Sequence, residues 1–466
     1  MRRVLVIVTA AGLSWPAAAS ADTWRVGPGE AFLTIAAALA EASAGDTVRV
    51  AAGTYPERLV IERSVVLIGE GWPVIEGGGE GHVIEALAPV EMTGFVVRGS
   101  GIDVDMEDAG AMVRAGPSVI RGNRFEDVFY GVYLKRAPGS RVADNRIVGK
   151  PFEARPRRGD GIRLWYSAGT TIEGNRLRRV RDLVVYFSDS LLMRDNEVVD
   201  GRYGLHYMYS NHSRVEDNRL LECEVGAFLM YSQNLAVIGN VFLRAAGASG
   251  MGVGLKDADE VTLESNLFLE NQIGVHLDNS PRSVGVTNAI RENAFVRNGS
   301  GVRLLPSVKG NVFEANDFFG NSRPAEVSGG VGAGQQAQNE WDGNHWDDYA
   351  GFDRDGDGRG DQPFVYARLS DHLTSKWPAL RIYALSPALG ALDLVSRFFP
   401  LLKPEPVVVD EEPRLEATVI DGWEDAPVAS GGLETPIERA GVGLAWALAA
   451  VACVVVLGRA TRRGRR

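Results

Sequence analysis

Cysteine is nearly absent. Cys223 and Cys453 are the only two in 466 residues, which excludes a disulfide framework. A basic surplus is absent as well: 49 lysines and arginines face 60 aspartates and glutamates, for a net charge of −11. A nucleic-acid binder needs the opposite balance. No Ser-His-Asp, His-Glu-x-x-His or phosphate-loop pattern occurs, so the common hydrolase and nucleotide signatures are missing. The composition, 45% hydrophobic and 23% charged, still belongs to a folded chain and excludes a disordered or collagen-like one.

Glycine, by contrast, is abundant: 55 residues, about 12% where about 7% is usual. Much of it recurs in one phrase: Gly131-Val-Tyr-Leu134, Gly161-Ile-Arg-Leu164, Gly204-Leu-His-Tyr207, Gly226-Ala-Phe-Leu229, Gly252-Val-Gly-Leu255, Gly274-Val-His-Leu277 and Gly301-Val-Arg-Leu304. A second phrase centres on Asn123, Asn145, Asn175, Asn196, Asn218, Asn240, Asn266 and Asn293. The step from Gly to the next Asn is 14 residues at five places (131, 161, 204, 226 and 252), while the step from Asn to Gly is elastic. A constant side and an elastic side mean stacked turns with loops inserted at one corner. Within the Gly phrase the first and third following positions are apolar and the one between varies, the period of a half-buried strand. The reading is all-β: a right-handed parallel β-helix with rungs of about 22 residues. A leucine-rich repeat is the competitor, but its L-x-x-L-x-L frame is missing. Glycine then marks a repeated turn, and asparagine a turn whose side chain bonds neighbouring backbone and the asparagine one rung away.

Both ends differ from the repeats. Residues 1–21 read as a secretory signal peptide, with basic Arg2-Arg3, an apolar run and Ala19-Ser20-Ala21 before Asp22. Residues 22–70 form an N-terminal cap with the first rungs, the helical run Thr34 to Ala42 covering the open end. Repeats fill 71–323, an extension with an acidic loop 324–402, and a Pro- and acid-rich linker 403–440. The uncharged stretch 441–458 reads as a short transmembrane helix, and the arginines in 459–466 place that tail in the cytoplasm. A processed sorting tail is the alternative. The body is then exported and tethered to the membrane by its C-terminus.

Aligning the rungs on glycine exposes further columns. Two residues on, the column reads Tyr133, Arg163, Val184, His206, Phe228, Gly254, His276; four on, Lys135, Trp165, Tyr186, Met208, Met230, Lys256, Asp278. Both alternate with buried positions and should face outward. Six on stands a mostly serine column: Ser167, Ser188, Ser210, Ser232 and Ser280. Met208 and Met230 are neighbours across rungs about 4.8 Å apart, with His206 beside them. Thioether and imidazole are ligands that select Cu(I), so His206, Met208 and Met230 are candidate copper ligands. The same residues also read as a hydrophobic docking stripe of Trp165, Tyr186, Met208 and Met230, with Tyr209 and Tyr231 next to it. Cys223 is read as a small side chain near a turn, and Lys150, Arg155, Arg157 and Arg158 as a docking loop. Asp353, Asp355, Asp357 and Asp361 match the first part of a calcium loop, although Phe364 stands where the bidentate Glu belongs. A polysaccharide lyase or hydrolase is the alternative function for such a fold. It needs paired carboxylates over a groove, and the outward columns offer no such pair on neighbouring rungs.

The phrase Gly204-Leu-His-Tyr-Met-Tyr-Ser-Asn211, the Asn repeats, and Gly343-Asn-His-Trp-Asp-Asp-Tyr349 running into Asp353 to Asp361 and Pro363-Phe364 resemble the NosD family. These are periplasmic maturation proteins of nitrous oxide reductase, and the resemblance covers about residues 23–385. It implies a non-enzymatic assembly factor that partners the ATPase and membrane subunits of an ABC transporter, a copper chaperone and the reductase itself. Together these build the reductase's copper–sulfide centre. The acidic linker and terminal apolar stretch depart from the soluble pattern of that family.

Overall fold

The computed structural model describes residues 21–247, 249–328, 338–383, 386–399 and 405–418. The expected signal peptide, up to Ser20, and the apolar stretch 441–458 lie outside the described residues. Among the described residues no helix is long and apolar enough to cross a membrane.

Three parallel sheets of 14, 12 and 13 strands run the length of a β-solenoid, each rung giving one strand to each sheet in turn. The Gly phrases form the 12-stranded sheet; the Asn residues sit at the corner between the 14- and 13-stranded sheets. The corners are turned by residues in the left-handed region, one at the Asn corner and two, such as Tyr209 and His212, between the 12- and 14-stranded sheets, and most of these are not glycine. Before the Asn they are Gly122, Asp144, Gly174, Asp195, Asp217, Gly239, Ser265, Glu292, Ala315 and Gly343. The glycines of the repeated phrase have a different job from the turn expected of them. Their φ lies outside that region. At Gly226 a Cβ would lie 2.4 Å from the Gly252 carbonyl oxygen and 2.8 Å from the Phe242 ring. Close approach of backbone to the next rung, not bending, selects glycine there.

A left-handed turn costs a non-glycine residue about 1–2 kcal/mol, so something must hold each corner. The asparagine ladder does. The Asn218 side chain donates to the Met193 and Glu216 carbonyls (3.0 and 2.9 Å) and to Asn240 Oδ1 (2.9 Å), while its own Oδ1 accepts from the Asn196 backbone N–H at 3.0 Å. The pattern runs unbroken through Asn293 and Asn316 to Asn344, all buried. The serine column does the same at the corner between the 12- and 14-stranded sheets: the backbone N–H of Ser167, Ser188 and Ser210 each donates to the next serine hydroxyl. Inside, Phe242, Phe268, Phe295, Phe318, Trp346 and Phe364 stack face to face at 4.4–5.1 Å.

Both ends are covered. Helix α1 (Ile35–Glu41), capped by Thr34, buries Ile35 and Ala38 over the first rungs. At the far end the coil continues past 323 through Arg323–Val327 and Glu340–Asp342 to His345–Trp346. The start of the expected linker is instead a strand, Val408–Asp410, antiparallel to Phe364–Tyr366. Its Asp410 ends the ladder, accepting from the backbone of Gly343 and Asn344 (3.1 and 2.9 Å), Asn344 Nδ2 (3.0 Å) and Trp346 Nε1 (3.2 Å). An acceptor-only group suits a terminus with donors to satisfy and nothing left to donate to.

Asn218→Ala leaves two carbonyls and an N–H buried without partners, a loss of about 3 kcal/mol. A urea denaturation midpoint that falls accordingly, while exposed Gln233→Ala leaves it in place, is the expected result.

Candidate functional site: an aromatic and thioether face

The outward face of the 12-stranded sheet is not bare. The insertion after the strand Arg146–Gly149 folds back over it, and Phe152 packs with Phe129, Tyr130, Tyr133, Met112 and Trp165 into a second small core. Tyr133 is therefore buried although it points away from the interior. Three of the insertion's basic residues serve this fold-back, while Arg157 is exposed with its guanidinium 5.7 Å from the Phe152 ring. Arg155 and Arg158 converge on Asp200 (2.7 and 3.0 Å), and Lys150 reaches Asp127 at 3.3 Å.

Next to this cover the face opens. Register pairing sets Trp165 beside Tyr186, Tyr186 beside Met208, Met208 beside Met230 and Met230 beside Lys256. One residue further on, at the left-handed corner, Tyr166, Phe187, Tyr209 and Tyr231 stack as a continuous ladder. Centroids are 4.9–5.2 Å apart and the rings lie within 10° of parallel. Tyr166 is 50% exposed and Tyr209 44%. Trp165 meets this ladder edge-on, 5.1 Å from Phe187. Charge closes both ends of the stripe: Lys135 with Glu107 at 2.5 Å, and Lys256 with Asp278 at 2.8 Å. Tyr166 and Phe187 were missing from the expected docking set. The fifth column after glycine (Arg136, Tyr166, Phe187, Tyr209, Tyr231, Asp257, Asn279) carries the signal.

His206 is 9% exposed and held on three sides. The Tyr186 hydroxyl lies 3.1 Å from its Nδ1 and 3.3 Å from its Nε2, the Tyr203 ring packs edge-on at 4.8 Å, and the buried Asp182 carboxylate stands 3.4 Å from Nδ1. Burial alone would raise Asp182, but hydrogen bonds with His206 and Arg202 outweigh it and hold the carboxyl below its ordinary value. Asp182 thus stays ionised and orients the imidazole, the outer-sphere arrangement that metal-ligating histidines use. Met208 and Met230, in register two residues along the strand from His206 and Phe228, give two thioethers on the same outward face. The donor set suits a soft monovalent metal as passing cargo.

The other expected sites divide. Cys223 is fully buried, and burial pushes its thiol up to about 12, so it offers no thiolate to a metal. Carboxylate oxygens of Asp353, Asp355 and Asp357 converge within 4.8 Å of one another. Asp361 stands outside that group, accepting the Arg354 backbone N–H at 2.6 Å. Asp353 is turned onto the backbone of Gly356 and Gly358, and the charge of Asp357 raises exposed Asp355.

Fold and face together define a parallel β-solenoid with aromatic and thioether groups gathered on one outward sheet. Two relatives, both named "Probable ABC transporter binding protein NosD", match most of the chain. The one from Pseudomonas aeruginosa is 30% identical over 416 residues, covering 84% of this chain and 95% of its own. That from Stutzerimonas stutzeri is 28% identical, covering 79% and 86%. The family profile described as "Periplasmic copper-binding protein (NosD)" matches residues 143–351. The chain belongs to the NosD family. Solved structures with a similar outline include the mannuronan C-5 epimerase AlgE6 A-module of Azotobacter vinelandii (16% identical, TM-score 0.44, 62% of this chain and 91% of that one). A GH87 alpha-1,3-glucanase catalytic domain is another (12%, TM-score 0.45, 67% of each).

Three histidines outside the stripe contribute to the loss of stability in mild acid. His82, His276 and His345 each bury Nδ1 without a protein partner, and burial holds all three below their ordinary value. Such a group stabilises the native state fully above its unfolded pKa, about 6.5, and loses that contribution as pH falls through the native value. Asp317, which burial pushes up to about 6, works the other way, but it is one group against three. The denaturation midpoint should be flat above pH 7 and decline below about 6.5. His276→Asn should shallow the decline; an unchanged slope contradicts the assignment.

Proposed function

We propose that this chain is an exported, non-enzymatic accessory protein that docks an ABC transporter through the aromatic ladder. In this reading it passes Cu(I) across His206, Met208 and Met230 during assembly of the copper–sulfide centre of nitrous oxide reductase. A copper chaperone delivers the ion on the same face, and the terminal stretch 441–458 tethers the protein to the inner membrane. One observation supports the reading above the rest: two thioethers in register beside a carboxylate-backed imidazole, edged by four stacked and partly exposed rings. Thioether and imidazole bind Cu(I) without needing a thiolate, which the buried Cys223 does not provide. The partner and copper words in the relatives' and family's names agree with it.

The carbohydrate-active alternative finds less support. Among the buried carboxylates on this face, Asp160 is tied to Arg163 and Arg181 (2.7 and 2.8 Å), Asp182 to Arg202, and Glu326 to Arg303 and Arg323. Asp182 is held ionised, whereas a general acid needs its pKa raised toward working pH.

Loss of this protein should leave the reductase exported but without its catalytic copper centre. Complementation with Met208→Leu/Met230→Leu, which keeps side-chain volume and removes both sulfurs, should lower Cu(I) affinity by at least about tenfold in competition with a chromophoric chelator. Reductase copper content should stay low. Tyr209→Ala/Tyr231→Ala should instead reduce co-purification of the transporter. Normal copper content and activity in the deletion strain would sink the proposal.

A further inference from the structure

Beyond the solenoid, helices α2 (Leu369–Lys376) and α3 (Pro387–Phe398) form a hairpin beside the last rungs. Helix α3 is built inside out. Its inward residues are Leu389, Asp393 and Ser396, spaced by four and three. Asp393 is a polar anchor: Oδ1 accepts the Ser370 backbone N–H at 2.7 Å and Oδ2 the Ser370 hydroxyl at 2.5 Å. The outward residues are Leu392, Val395 and Phe399, with Leu394 alongside at 56% exposure. In the turn between the helices Ile382 is 80% exposed and Tyr383 is exposed beside it. A helix in water puts its apolar stripe inward and its polar residues out; here the polarity is reversed.

We infer that this hairpin lies in the interface of a lipid bilayer, with the outward face of α3 and the Ile382–Tyr383 turn among the acyl chains. Charge selects lipid over a protein partner. Both carboxylates of 369–403 are used within the fold, Asp393 on Ser370 and Asp371 on Arg323 and Tyr366. The same sequence carries Lys376, Arg381, Arg397 and Lys403. A locally basic, outwardly apolar hairpin in a chain of net charge −11 is the composition of an interfacial helix on anionic lipid. The chain then continues toward the uncharged stretch 441–458 and its arginines, on the same side of the hairpin in sequence. The hairpin gives the solenoid a fixed seat on the bilayer, in addition to any tether and independent of the copper reading.

Site-directed spin labelling tests this. The full chain, with Cys453→Ser to remove the competing thiol, is labelled at Leu394→Cys or, as a remote control, at Val284→Cys, which is 91% exposed. It is reconstituted in phosphatidylethanolamine–phosphatidylglycerol vesicles. The label at 394 should be severalfold more accessible to oxygen than to a water-soluble nickel complex, and the label at 284 the reverse. Nickel reaching 394 as readily as 284 overturns the inference. So does shielding from both reagents, which marks a protein-covered face, or failure of the chain to associate with the vesicles. Cu(I) retention measured on the same preparation reports separately on the proposed function.

Discussion

Parallel strands held in register rung upon rung are the constraint on which everything else depends. With about 4.8 Å between rungs, equivalent positions meet their own kind, and a residue's value lies in what it does for its copy above and below. Asparagine suits this because its amide donates to backbone and to the next amide oxygen while its oxygen accepts from the rung behind. A half-satisfied buried amide would be costly, but a continuous ladder leaves unmet groups only at its ends. Asp410 satisfies one of those ends, which is why a strand from far along the sequence returns to the last rung.

The same spacing that packs phenylalanines inside the solenoid builds a stack of aromatic rings outside it. Inside, the rings exclude water. Outside, Tyr166, Phe187, Tyr209 and Tyr231 meet solvent on one edge, giving a preordered apolar ridge. Register also brings Met208 and Met230 together, and a bend in pairing between Asp182 and Val184 puts the Asp182 carboxylate next to His206. The grouping of two thioethers with an imidazole is thus a by-product of repeat geometry with two or three substituted positions.

Much of this was legible in the sequence, for a physical reason. The Gly, Asn and Ser columns announce themselves because a solenoid repeats the same local environment at near-constant spacing, and the register of Met208 with Met230 follows from counting. What stayed hidden breaks the repeat. The cover over Tyr133 comes from the insertion that carries Phe152, and the pairing of Arg155 and Arg158 with Asp200 spans more than forty residues. Tyr166 and Phe187 escaped because the left-handed corner interrupts strand alternation, so inside-or-outside counting fails there. The Val408–Asp410 strand pairs antiparallel to a segment outside the rungs and has no periodic mark. The role of glycine changed most: in the Gly phrase it makes room for the next rung, while aspartates, arginines and tyrosines take many of the strained corners.

Whether the outward face handles copper is best decided by X-ray absorption at the copper edge on the full chain loaded with one equivalent of Cu(I). The account predicts a first shell with thioether sulfur and imidazole nitrogen, and loss of the sulfur scattering in Met208→Leu/Met230→Leu. A shell of oxygen and nitrogen only, or one that the double substitution leaves unchanged, would contradict it.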